Sequence, residues 1–220
     1  MTILNKPYEE ANKILDEIIN KRRSIRKFKK EVPPKEIIED IIKSGLMAPY
    51  AGISGIPVNE IRRFFVLSKD SENMIKANEI IMSQLKSNAK RLNLAMVFVP
   101  YIRNNGKAFV KNVNNMAKNG VSAFKTAPYY IIIAERKCMP PIQKQSLAHV
   151  LQNMWLKATA LGLGFQLLTF TETMSKNKDF VNLLELPYGE FELDGCAIGY
   201  PDQIPLEKKS FSVNEVIKWL

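Results

Sequence analysis

The run Pro128–Ala134, P-Y-Y-I-I-I-A, sets the strongest limit on how this chain folds. It is apolar without alternation, so a strand here is buried on both faces. Further strand candidates are Ile61–Leu67 (I-R-R-F-F-V-L), the short Phe165–Phe170, and Phe191–Ile198, which closes at Gly199-Tyr200-Pro201. Helical patterns lie between them. Residues 8–20 carry Tyr8, Ala11, Ile14, Leu15, Ile18 and Ile19 on one face. Pro33-Pro34 opens a second helix bearing Ile37, Ile38, Ile41, Ile42 and Leu46, stopped by Pro49. Residues 72–92 read as a third. Ile142–Leu161 is the strongest, with Leu147, Val150, Leu151, Met154, Trp155, Ala158 and Leu161 as a broad apolar face and Gly162 as its stop. Residues 173–185 and 213–220 read as shorter helices. Strands and helices are interspersed without regular βαβ alternation and without an internal repeat. The expected fold is α+β, a central sheet flanked by helices, in one domain spanning residues 1–220. Residues 93–125 are the least legible part. An apolar patch, Leu94–Pro100, precedes a basic, Asn-rich stretch with Lys107, Lys111 and Lys118. Such a segment is either an active-site cover or a surface insertion.

Charge narrows the partners. Lys and Arg number 32 against 22 Asp and Glu, giving +10 and a pI near 9.5. That balance favours a phosphorylated cofactor, nucleic acid or an acidic membrane surface. Aromatic residues are not interleaved with the basic clusters, so a nucleic-acid stacking platform is not expected. No run reaches bilayer-spanning length, and MTILNKPYEE holds no apolar signal core, so a cytoplasmic protein is expected. The two cysteines, Cys138 and Cys196, stand far apart, and His149 is the single histidine. Neither a metal site nor a disulfide is expected. His149 falls in the strongest helix near its apolar face, which suits a packed or partner-bonded histidine better than a catalytic base. No Ser-His-Asp set can be built without it, and no carboxylate pair stands out. Chemistry on such a chain falls to a cofactor.

The stretch Lys21–Phe28, K-R-R-S-I-R-K-F, packs five cations and one hydroxyl into eight residues. Cations that close repel one another unless solvent or an anion lies among them. The forks of Arg22, Arg23 and Arg26 suit phosphate, and Ser24 can donate to a phosphate or sugar oxygen. Taken alone, the stretch is either a solvated basic turn or an anion site. Leu161-Gly162-Leu163-Gly164 follows a helix and precedes a strand, the wrong context for a dinucleotide-binding glycine loop, and reads as a helix-to-strand turn.

R-R-S-I-R (22–26), A-P-Y-A-G (48–52), A-P-Y-Y-I-I-I (127–133), Q-N-M-W-L-K-A-T-A-L-G-L-G (152–164), A-I-G-Y-P (197–201) and V-N-E-V-I-K-W (213–219) follow one another along nearly the whole chain. Together they resemble the FMN-dependent nitroreductase family. The resemblance implies a mixed central sheet wrapped by helices, and an intertwined homodimer with FMN at the subunit interface. It implies phosphate and ribityl contacts for Arg22, Arg23 and Ser24, and a place for Arg26 near N1 and O2 of the flavin ring. A fixed cation there stabilises the negative charge of reduced flavin. Pro49, Tyr50 and Ala51 match the loop that reaches the flavin from the other subunit. Thr169 and Phe170 match the segment whose backbone N–H faces flavin N5, and Lys208 matches a phosphate-holding lysine of the tail. No catalytic side chain and no metal are implied, because flavin carries the chemistry. NADH or NADPH would reduce the flavin at N5, which would then reduce a small organic acceptor, such as a nitroaromatic or quinone, by a ping-pong scheme. The alternative is a flavin-binding protein of the same fold without nicotinamide-driven turnover. Departures from the family pattern motivate it: Ile53-Ser54-Gly55-Ile56-Pro57 replaces an Asn-Ser-Gln-Pro loop, Ser210 stands at an arginine position, and Phe170 stands where glycine is common. Tyr50 is either a cofactor neighbour or a half-buried aromatic, and Gln152 and Asn153 either touch cofactor or bridge helices. Lys208 and Lys209 are either a phosphate grip or a solvated pair.

Overall fold

The apolar run does become an inner strand, with Tyr129 through Glu135 all buried. The computed structural model describes residues 7–50, 56–203, 206 and 212–220. It opens with helices α1 (Pro7–Lys21), α2 (Lys35–Leu46) and α3 (Val58–Ile61), then strand β1 (Arg62–Ser68). Helices α4 (Glu72–Phe98), α5 (Pro100–Asn105), α6 (Lys107–Asn119) and α7 (Ser122–Thr126) lead to β2 (Tyr129–Arg136). Then come α8 (Gln143–Ala160), β3 (Gly164–Leu167), α9 (Thr171–Met174), α10 (Lys178–Leu183) and β4 (Phe191–Gly199), with a 3-10 turn at Val213–Glu215.

The strands form one sheet in the order β1-β2-β4-β3, each adjacent pair antiparallel. Among the described residues, the mixed character implied by the resemblance is confined to a parallel bridge, Ser24 with Phe165, where the chain leaving α1 runs along β3. Alternation along β2 divides the core in two. Tyr130, Ile132 and Ala134 face a layer containing Ile81 and Leu85 of α4 and Phe180 of α10. Tyr129, Ile131 and Ile133 face Ile38 and Ile41 of α2 and Leu147 and Met154 of α8. Each such aliphatic side chain contributes about 1.5–3 kcal/mol by leaving water. Two layers therefore clamp one strand, which is the α+β sandwich the sequence implies.

Several expectations are corrected. The third helix runs on to Phe98, and residues 93–125, least legible in sequence, are almost wholly helical. The expected helix over 173–185 is two short ones, because Asn177 adopts an extended backbone and its side chain caps α10 by accepting from the Phe180 N–H at 3.1 Å. The strand expected over Phe165–Phe170 is Gly164–Leu167. The expected tail helix is reduced to the 3-10 turn, with Val216, Ile217, Trp219 and Leu220 exposed. So short a helix needs a surface to pack on. His149 is exposed rather than packed, since Leu147, Val150, Leu151 and Met154 take the buried face of α8. Gly162 does end α8, at φ +74°, a left-handed turn suited to glycine. Among the described residues no helix is long and apolar enough to cross a membrane.

Candidate functional site

The basic stretch is pinned, not a loose turn. Past α1 the Ile25 N–H donates to the Phe165 carbonyl at 3.0 Å, and the Lys29 N–H to the Tyr200 carbonyl at 2.9 Å. Ile25 and Phe28 are buried pegs. A Cβ on Gly164 would lie 2.8 Å from Ile25 Cγ2, so only glycine lets the segment lie this close to β3. With the apolar residues turned inward, the cations are presented outward.

Each arginine then has its own setting. The Arg22 guanidinium lies 4.3 Å above the Trp155 ring, which stacks on Phe165 at 5.1 Å and donates from Nε1 to the Arg23 carbonyl at 3.2 Å. Trp155, read from sequence as part of the apolar face, is thus half-buried and serves as the platform for a cation. Arg23 spends its donors on backbone: Nε to the Leu206 carbonyl at 2.7 Å, and Nη1 to the carbonyls of Asn20 at 2.6 Å and Arg22 at 2.9 Å. It ties the start of the tail to the end of α1. Ser24 holds the bridge to β3. Arg26 is exposed and has no ion pair among the described residues.

Arg26 faces a cavity of about 780 Å³, inside the roughly 300–1,000 Å³ typical of small-molecule and cofactor sites. Its floor is Arg26, Gln166, Thr169 and Phe170, and its roof includes Arg91 of α4 with Phe109 and Asn112 of α6. Residues 93–125 thus contribute directly to one wall. The floor is stiff. The Leu168 N–H donates to the Gly195 carbonyl at 2.9 Å, the hydroxyls of Tyr130 and Thr171 share a buried hydrogen bond of 2.8 Å, and Phe124 meets Phe170 edge-on at 5.9 Å. Burial pushes the Tyr130 phenol well above its usual range. Gln166 Oε1 is fully buried and meets no donor among the described residues.

On the α8 side of the sheet lies a buried charge that sequence reasoning did not single out. The Arg62 guanidinium bonds Glu135 Oε2 from Nε at 2.9 Å and from Nη2 at 2.8 Å. It also donates to the carbonyls of Gly45 (3.2 Å) and Ala48 (3.1 Å) and to Ser146 Oγ (2.9 Å), and Ser146 donates to the Pro49 carbonyl at 3.2 Å. The network fixes the backbone entering the Pro49-Tyr50 loop. Its signal was available: Arg62 and Glu135 end two apolar runs that pair antiparallel, in register with each other. On β4, burial first and Glu172 second push the Asp194 carboxyl up to about 6, against a bond from the Gly195 N–H that lowers it.

The structure therefore brings Arg26, Thr169 and Phe170 together on one cavity and strings Arg22, Arg23 and Ser24 along β3 beside it. Pro49 and Tyr50 do not line that cavity. Ala51 and Lys208 lie outside the described residues.

A model of the nitroreductase family matches residues 19–200. Mouse (Mus musculus) iodotyrosine deiodinase 1 is 31% identical over 118 residues, 53% of this chain and 35% of the deiodinase. The chain thus spans about a third of that relative's length. Among solved structures, a nitroreductase with bound FMN from Bacteroides fragilis superposes at TM-score 0.67 and 19% identity, over 94% of this chain and 98% of the other. An oxidised iodotyrosine deiodinase bound to FMN and 3-iodo-L-tyrosine superposes at TM-score 0.68 and 20% identity, again over 94% and 98%. At these identities the likeness is one of fold.

Proposed function

This chain belongs to the nitroreductase family, and we propose that it is an FMN-dependent oxidoreductase acting as an intertwined homodimer. The observation that carries the reading is the cavity floor, where the cation of Arg26 lies with Thr169 and Phe170 on one space of cofactor size. Relatives of the same fold hold FMN. Arg22, Arg23, Ser24 and Lys208 are assigned to the phosphate and ribityl end, and Thr169 and Phe170 to the ring. Pro49, Tyr50 and Ala51 are assigned to the flavin of the second copy, which agrees with Pro49 and Tyr50 not lining this chain's own cavity. FMN supplies the redox chemistry, with hydride from NADH or NADPH and two electrons passed to a small organic acceptor in a ping-pong scheme. The protein's part is electrostatic and spatial. Arg26 is a fixed cation beside the ring, favouring negative charge there. Phe109 and Phe170 present aromatic surface that excludes water and accepts a flat ring. Exposed apolar side chains on α1 (Ile14, Leu15, Ile19) and in the tail (Val216, Trp219) support burial against a second copy.

Nitroaromatics and quinones are the first acceptors to test. The identity shared with iodotyrosine deiodinase 1 favours halogenated rings as the second class. The deciding experiment is the visible spectrum of the purified protein, with the released chromophore identified. Stoichiometric FMN, bleached by a nicotinamide and recoloured by an acceptor, is the expected result. Bound flavin that neither nicotinamide reduces would leave a binding protein without turnover. A colourless protein that fails to take up added FMN sinks the reading.

A further inference from the structure

We infer that Asn88 and Arg91, one turn apart on α4, receive the carboxylate of the electron acceptor, so that the cavity's second guest is an anionic aromatic rather than a neutral ring. The inference rests on the FMN reading and deepens it by naming the charge class of the acceptor.

The observation begins outside the cavity, at a backbone donor. The Phe180 N–H of α10 donates to Asn177 Oδ1 at 3.1 Å. A backbone N–H can only donate, so this bond fixes which end of the Asn177 amide is oxygen. Asn177 Nδ2 then donates to Gln84 Oε1 at 3.2 Å, and Gln84 Nε2 donates to Asn88 Oδ1 at 3.1 Å. Each amide orients the next. At the end of the relay stands Asn88, a lining residue of the cavity whose oxygen is already taken. Its NH2 has no acceptor among the described residues and is what it can offer a guest. Arg91 follows three residues on, lines the same cavity and makes no ion pair among the described residues. The surrounding chain supplies no counter-ion either, since no Asp or Glu occurs between Glu79 and Glu135. Glu172 is the one carboxylate among the described lining residues, and Lys144, which is not in the lining, holds it at 2.5 Å.

The ligand chemistry follows from what the pair has left. Arg91 can only donate, and Asn88 has only donors to spare. Two donors side by side, one of them charged, suit a group that only accepts and carries negative charge, which is a carboxylate or sulfonate. Arg26 on the floor is assigned to the flavin, which leaves the roof pair to the visiting molecule. Phe109 and Phe170 in the same lining suit an aromatic body behind that anionic head.

The test uses full-length protein carrying FMN, photoreduced without oxygen and mixed with 4-nitrobenzoate or its neutral methyl ester. In a single turnover the nitro group takes two electrons and two protons from reduced flavin, becomes nitroso and releases water. The concentration dependence of flavin reoxidation gives a dissociation constant for each acceptor apart from the rate of chemistry, and the ratio of the two constants is the readout. The parent should bind nitrobenzoate the more tightly. Asn88→Asp still accepts from Gln84 but puts an oxygen where the NH2 stood, and Arg91→Gln removes the charge. Each should shift the ratio about tenfold against nitrobenzoate, and Arg91→Lys should restore part of it. A flavin-loaded parent that does not favour nitrobenzoate, or a ratio unmoved in both variants, overturns the inference alone. So does loss of FMN from Arg91→Gln, which would give the arginine to the cofactor phosphate. An Arg91→Gln effect confined to reduction by NADPH also overturns it, by giving the arginine to the donor's phosphates. A parent that holds no FMN overturns the FMN reading and the inference together.

Discussion

Two polar sites sit beside one sheet and are treated in opposite ways. On the α8 side, Arg62 and Glu135 are both nearly inaccessible, and bonds to Gly45, Ala48 and Ser146 satisfy the guanidinium further. On the α4 side, Gln166 holds an unpaired oxygen and Arg26 stands without a counter-ion among the described residues. The first arrangement is complete without help and acts on the fold. The second leaves polar groups without partners among the described residues. Burial alone does not separate structural from functional polar groups; the state of their hydrogen bonds does.

The largest effect should come from breaking the completed site. Arg62→Met leaves the Glu135 carboxylate buried and unpaired, and should cost about 3–5 kcal/mol in urea denaturation. A change under about 1 kcal/mol would show that water reaches Glu135 and that the contrast is false. Asp194 tests an intermediate case. Its carboxyl titrates near 6 instead of 3.8, so the folded state keeps its proton longer than the unfolded chain does. Its contribution is present below about pH 4 and lost as pH rises through 6, up to about 3 kcal/mol. Asp194→Asn should match the parent near pH 4 and be the more stable protein at pH 7.5. Parallel stability curves across that range would show that water screens the Asp194 carboxyl. Tyr130→Phe breaks the Tyr130–Thr171 hydrogen bond under the cavity floor and should cost about 0.5–1.5 kcal/mol. The smallest stability effect is expected for Arg26→Ala, within about 0.5 kcal/mol. The same variant should lower the reduction potential of bound flavin. An unchanged potential would take Arg26 away from the ring, and a large loss of stability would place it with Arg62.

How much of this was legible in the sequence depended on which way the apolar residues face. The α8 pattern was legible because its apolar residues point into one layer, and the unbroken run of β2 because both of its faces are buried. Residues 93–125 were not, because Leu94, Val97, Phe98, Tyr101 and Phe109 are exposed while Val110 and Val113 are buried, so no single inward face is written. The tail failed for a related reason: Val216, Ile217, Trp219 and Leu220 are exposed among the described residues, so no inward face is written there either. The basic stretch was correctly picked out, but its charges alone could not divide the labour among a stacked Arg22, a backbone-tied Arg23 and an open Arg26. That division follows from Trp155, Leu206 and the cavity, which become neighbours only through folding. Gln166 gave no signal because one glutamine in a short strand is ordinary until its partners are counted.

The length of α4 has a kinetic consequence. Its 27 residues extend about 40 Å at 1.5 Å per residue. Met74, Ala77, Ile81, Leu85 and Ala89 are buried along the first two-thirds, and beyond Ala89 no residue of the helix is buried. Amide protons should therefore exchange along a gradient in this one rod, slowest near Ile81 and fastest near Val97. Arg91, on the cavity roof, falls where the gradient steepens. Fraying of these last turns would open the roof without disturbing the core, so the rate of ligand entry should track local exchange near Arg91 rather than the rate of global unfolding.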